Sequence, residues 1–234
     1  MRRGGGRKEM TMKVQPVLRI KRVHSAALRD QVYSLRYRAY RKEDAIEANV
    51  SEAFEDQYDH RPNHILWALT HDEKVIGSMR TTWFDPADHH VIPEMHVYSD
   101  DIARAIPANA RVLSGNRLVT DPDLPSMNAQ VVLLLLRHHM MVASHKTIEW
   151  AVAAARSNHL AFYRRIFRAT IVSQSRLYPG LLCPMQLFAS NFGELGEEIK
   201  QNTPLLRAHG YERMLLDPNY EDLWEKGLPV VAQS

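Results

Sequence analysis

The chain is poor in the features that announce many common activities. It has a single cysteine, Cys183, so it contains no internal disulfide and no thiolate cluster for zinc. That places it in a reducing, cytoplasmic setting. The longest apolar run, "VVLLLL" at 131–136, falls far short of the roughly 20 residues that cross a bilayer. The N-terminal arginines lead into neither an apolar stretch nor a small-residue cleavage site, so no signal peptide is expected. No G-x-S-x-G elbow occurs, which argues against a serine hydrolase. Histidines are plentiful, but "DHHVIPEMH" (His89, His90, Glu94, His96) and "RHHMM" (His138, His139) match neither the His-Glu-x-x-His helix nor a Cys/His finger. No bound metal is expected.

One further absence is specific. The stretch "VLSGNRLVTDPDLPSMNAQVVLLLL" reads as a strand, a turn and an apolar helix, a junction where phosphate-binding folds place glycines. Here the turn carries Asp121, Pro122, Asp123 and Pro125 instead.

What is present is ordinary in bulk. With 45% hydrophobic and 24% charged residues, 234 residues can build one large core. Residues 1–22 hold eight Lys/Arg against one Glu, a charge of +7, so the other residues carry −4 of the whole-chain +3. A basic, flexible tail (1–22) on a mildly acidic body (23–234) is not the footprint of a nucleic-acid-binding domain.

Periodicity supplies the elements. Leu28, Val32, Leu35 and Ala39 form one stripe of a helix from Ser25, its N-cap, to about Glu43. A polar loop follows, of a length that in a compact domain goes with function or disorder. "HILWALTHDEKVIGSMRTTWF" reads as a hairpin, and "NARVLSGNRLVT" as another strand. The apolar helix starts at Ser126 or Asn128. "TIEWAVAAA" is a strand, "NHLAFYRRIF" a short helix, and "ATIVSQSRLY" and "PMQLFASN" are closing strands. Residues 191–234 read as a peripheral helical extension. The order predicts an α/β fold with one mixed sheet flanked by helices.

This order resembles the GNAT superfamily of N-acyltransferases, in which two central strands splay into a V that receives the acyl-bearing arm of the donor. The strands ending at "SGNRLV" and "TIEWAVAAA" would form that V. The segments "YSLRYRAY", "FEDQYDHRP", "VIGSMRTT" and "SGNRLVTDP" also resemble, in order and spacing, the acyl-homoserine-lactone (autoinducer) synthases and, more closely, the FeeM-type N-acyl amino acid synthases. The likeness spans residues 23 to about 190. It implies an enzyme that moves a long-chain acyl group from acyl carrier protein, with acyl-CoA as the alternative donor, to an amino-acid amine. No permanently bound cofactor is implied. Matching positions assign Arg36, Tyr40, Arg80, Ser114 and Arg117 to substrate binding and Asp56 and Asp59 to the paired acids of the loop. Ser114 stands where the family places a glutamate, and Ile46 near where the lactone-forming branch carries tryptophan.

Amide formation from a thioester needs a proton acceptor for the amine and a donor for the developing oxyanion. Asp56 and Asp59, three apart, would share one side of a helical turn and could serve as the catalytic acids. Equally, they could neutralise Arg36, Arg80 and Arg117 in a structural network, or the arginines could grip an acceptor carboxylate. Trp83, Leu118, Trp150 and Phe162, with Trp67 and Phe188, are candidates for an acyl pocket or plain core. Arg164, Arg165 and Arg168 form a basic patch suited to an acidic carrier. The alternatives are an autoinducer synthase using S-adenosylmethionine and a catalytically silent carrier-binding protein on the same fold, which the missing glutamate at Ser114 would favour.

Overall fold

The computed structural model describes residues 17–88 and 90–230. Strands are β1 (Leu18–Arg22), β2 (His64–His71), β3 (Lys74–Phe84), β4 (Val112–Thr120), β5 (Trp150–Ala155), β6 (Thr170–Ile171), β7 (Arg176–Leu177), β8 (Pro184–Asn191) and β9 (Leu228–Pro229). Helices are α1 (Ala26–Lys42), α2 (Met95–Ala105), α3 (Asn128–His145), α4 (Leu160–Phe167), α5 (Phe192–Asn202) and α6 (Asp222–Lys226). The sheet runs β6-β8-β5-β4-β3-β2-β1-β9, with β7 also on β8. Every pairing is antiparallel except β4 with β5.

The hairpin forms as its pattern requires. Asp72 and Glu73 both take positive φ (47° and 64°), the two-residue turn whose twist suits paired strands. Helix α1 also matches: Ser25 accepts a bond from the Leu28 N–H, and Leu28, Val32 and Leu35 pack on Leu66, Ala68 and Val75. On the opposite sheet face α3 lies close against β3. A Cβ on Gly77 would stand 2.2 Å from Val131 Cγ1, so glycine is what permits this approach.

Two expectations need correction. Leu18–Arg22, counted with the basic tail, is strand β1, paired along its length with β2; residues 1–16 lie outside the described residues. The C-terminal segment is not peripheral. Leu206, Leu215 and Trp224 join the main core, and β9 pairs with the outer edge of β1. The reason is α3, which buries residues around its whole circumference and therefore needs cover on its outer side. Arg137 of α3 donates to the Leu205 carbonyl (2.8 Å) and to Glu212 (3.1 Å) to hold that cover. Glu225 of α6 accepts bonds from the backbone N–H groups of His24 and Ser25, fixing the start of α1.

Candidate active site

The site grows from a defect in the sheet. β4 and β5 pair only at Val112–Trp150, Leu113–Ala151 and Ser114–Val152. Beyond that rung each strand continues without the other, and the wedge between them exposes backbone groups that a ladder would have used. A second irregularity lies on the other edge of β4. Arg117 and Leu118 together oppose the single residue Met79, a β-bulge, and Arg117 takes φ +52°. Such a conformation costs a non-glycine residue about 1–3 kcal/mol. It shifts the side-chain alternation, so that Leu118 turns to the α3 face while Arg117 joins the α1 face.

The α3 face of the wedge is an apolar cleft with about 440 Å³ of empty space, open solvent included. Gly115, Leu118, Val152 and Ala153 form its strand edges; Met79, Leu136, Tyr163, Phe167, Phe188 and Phe192 form its walls. His139 and Ser190 are its buried polar members. Desolvation lowers the imidazole to about 3, so it is neutral at physiological pH, and its Nδ1 lies 3.1 Å from the Thr81 hydroxyl. Of the residues assigned to an acyl pocket, Leu118 and Phe188 line this cleft. Trp83 packs on the core with Lys146 Nζ 4.1 Å above its ring, and Trp150 joins the cluster on the opposite sheet face. Phe162 packs edge-on against Tyr163, and Trp67 is buried beside His138.

The other face of β4 is charged. Asp56 and Asp59 bracket a short 3-10 turn as a reciprocal capping box: Asp56 accepts the Tyr58 N–H (2.9 Å) and Asp59 accepts the Asp56 N–H (3.0 Å). The turn therefore brings both acids to one side, as their spacing predicts. Arg80 from β3 donates twice to Asp56 (2.6 and 3.1 Å), and its Nη1 lies 3.0 Å from Asp59. Arg117 donates to Asp56 through Nε (3.0 Å) and Nη2 (2.8 Å). Arg36 from α1 donates to Asp59 (2.8 Å), both side chains being fully enclosed. Burial alone would raise both carboxyls, but the facing guanidinium groups outweigh it and hold them below the ordinary range. All five charged side chains are thus committed to one another. Tyr40 packs edge-on against Phe54, whose ring centroid lies 4.8 Å from the Arg117 guanidinium carbon.

The carboxylate missing at Ser114 comes from elsewhere. Glu94, at the start of α2, accepts the Ser114 hydroxyl (2.6 Å) and the Asn116 amide (2.5 Å), and has no exposed surface. Asn116 is fixed in turn by the Thr82 hydroxyl (2.9 Å). Burial raises the Glu94 carboxyl, and its neutral donors and Arg80 only partly offset this. The Tyr178 hydroxyl, buried and without a hydrogen-bond partner, lies near enough for the Glu94 charge to help raise it well above its usual value. Sequence reasoning saw Glu94 only among the histidines of "DHHVIPEMH". The available signal was the apolar spacing of Tyr98, Ile102 and Ile106 after Pro93, which marks a helix beginning at Glu94. The histidines go to separate places: His138 bonds the Leu134 carbonyl, His139 faces Thr81, His96 packs on Tyr58, and His89 lies outside the described residues.

At the strand-to-helix turn Asp121 takes Lys74 (2.8 Å) and Arg38 (3.1 Å), so acidic groups and their partners fill the place of a phosphate cradle. Among the described residues, no helix is long and apolar enough to cross a membrane.

No curated protein matches the chain. Solved structures do. FeeM, an N-acyl amino acid synthase from uncultured soil microbes, superimposes with a TM-score of 0.63 at 15% identity, covering 76% of this chain and 93% of its own. BjaI, a CoA-dependent acyl-homoserine lactone synthase with MTA, gives 0.58 at 14% identity over 83% and 91%. LasI, an AHL synthase, gives 0.54 at 13% identity over 93% and 98%. These likenesses establish the GNAT-like acyltransferase fold, with its mixed, mostly antiparallel sheet. The model of the FeeM N-acyl amino acid synthase family matches residues 31–191, which contain the wedge, the charged cluster and all of the cleft but Phe192. The chain belongs to the FeeM family of N-acyltransferases.

Proposed function

We propose that the enzyme transfers a long-chain acyl group from the phosphopantetheine thioester of acyl carrier protein to the amine of a free amino acid. The observation that carries this reading is the division of β4 between an apolar cleft on one face and a charged cluster on the other, at the rung where β4 and β5 separate. The acyl chain lies in the cleft, the thioester carbonyl sits in the wedge, and the acceptor meets it from the charged side. Backbone N–H groups left unpaired by the wedge and bulge can polarise the carbonyl. Three arginines against two aspartates leave the cluster one positive charge in excess, which suits an acceptor carboxylate at Arg117. In this reading Asp56 and Asp59 position the arginines rather than move protons.

The donor is read from the turn after β4. Asp121 and Asp123, paired with Lys74 and Arg38, occupy the turn where glycines would cradle the pyrophosphate of coenzyme A, whereas a carrier protein brings its own docking surface and can use exposed Arg164 and Arg165 on α4. Arg168 is already paired with Glu198. Acyl-CoA is the alternative donor, and the work takes place in the cytoplasm. The lactone-forming alternative has structural neighbours in its favour, but the position near its tryptophan holds Ile46, buried in the core beside α2.

The test is turnover. Purified enzyme is incubated with acyl-ACP or acyl-CoA and a panel of amino acids that includes S-adenosylmethionine, with products read by mass spectrometry. An N-acyl amino acid formed faster from acyl-ACP is expected. A lactone product, or no product from any pair, overturns the reading.

A further inference from the structure

We propose that Glu94 takes the proton from the acceptor's ammonium group, Ser114 and Asn116 holding its carboxylate in place. This rests on the amino-acid acceptor reading and extends it to a residue outside the strand position where the family carries its glutamate.

The placement follows from strand geometry. Side chains alternate along β4, so Ser114 and Asn116 point away from the cleft while Gly115 between them edges it. Glu94, bonded to both, sits on the face of β4 opposite the cleft, the face to which the acceptor reading assigns the amino acid. Among the described residues it is the carboxylate there that no guanidinium bonds: its two oxygens are held by an alcohol and an amide, which leave its charge uncancelled. Charged or titratable groups facing it are Arg80 from β3, Tyr58 from the 3-10 turn, Tyr98 on α2 and Tyr178 after β7.

Charge balance supports the role. With Glu94 ionised, three arginines face three carboxylates and the site is neutral, matching a zwitterionic amino acid. Proton transfer leaves the protein cluster at +1 and the acceptor at −1, so no net charge is buried at either stage. The freed amine lone pair then forms the C–N bond and the carbonyl π pair moves to oxygen. Collapse breaks the C–S bond, and the departing thiolate takes the second N–H proton. Glu94 returns its proton to water after release. Asp56 and Asp59, locked to guanidinium groups, are weaker bases for this step.

The experiment follows amide formation by the full-length enzyme against pH. Glu94→Gln is expected to lower kcat/KM for the amino acid by about 100-fold or more near neutral pH. Its rate should climb with pH toward the amine's own pKa, whereas the wild type levels off. KM for the acyl donor should not move. Moving the carboxylate, with Glu94→Gln and Ser114→Glu in one chain, should recover much of the loss and restore the plateau. The proposal is overturned if Glu94→Gln keeps the wild-type pH profile, or if its rate falls by the same factor at every pH. A wild type that acylates no amino acid removes the functional reading, and the proposal with it.

Discussion

Asp56 and Glu94 sit on the same face of β4, and both oxygens of each accept hydrogen bonds, yet they are held by different chemistry. Asp56 takes four bonds from two guanidinium groups; Glu94 takes one from an alcohol and one from an amide. The first carboxyl is pulled below its ordinary value and the second is pushed above it. Burial acts in the same direction on both, so the partners decide the outcome. A carboxylate saturated by arginine fixes geometry, and one held by neutral donors keeps its affinity for a proton. Two acids at helical spacing drew attention in the sequence, but the lone acid 35 residues downstream of Asp59 has the better chemistry for catalysis.

The largest effect is expected at Asp59. Asp59→Asn leaves Arg36, with no exposed side-chain surface, facing a neutral amide, and a loss of about 3–5 kcal/mol is expected in urea unfolding. A smaller effect is expected at Ser114. Ser114→Ala removes one donor to a buried carboxylate, and about 1–3 kcal/mol should be lost where Glu94 is ionised. Smaller still is a change of sign with pH. The Glu94 carboxyl binds its proton more tightly in the folded protein, so its contribution is fully present in acid and lost as pH rises through its folded value. Thermal melts should therefore find Glu94→Gln gaining on the wild type as pH is raised above the ordinary glutamate range. For Asp56 and Asp59 the folded values are lowered, so their contribution is present above the ordinary aspartate range and lost as pH falls through the folded values. Asp59→Asn should accordingly approach the wild type only in strong acid.

Much of this architecture was legible because it is local. The stripe of α1, its Ser25 cap, the two-residue turn between β2 and β3 and the apolar helix after β4 each follow from neighbouring residues. The Asp-Arg constellation was legible as a set of residues, and the structure resolves its partners into one network. What the sequence concealed depends on contacts between distant segments. The alternation of Leu18 and Ile20 with Arg19 and Lys21 is a strand pattern, masked by counting the segment as charge. Burial of Leu206 and Leu215 depends on α3 needing an outer cover. Glu94 becomes meaningful only when the fold carries it 20 residues' distance onto Ser114. Large aromatic residues misled for a related reason: size drew attention to Trp83 and Trp150, while the cleft is edged by Gly115 and Ala153, small residues that leave room beside the separating strands.

The central claim is that β4 divides the reaction, acyl chain on one face and acceptor on the other. A crystal structure with a bound N-acyl amino acid tests it most directly. The account predicts the chain beside Leu118 and Phe188, the amide in the wedge between β4 and β5, and the carboxylate at Arg117. An acyl chain lying on the charged face, or a product bound away from the wedge, would contradict it.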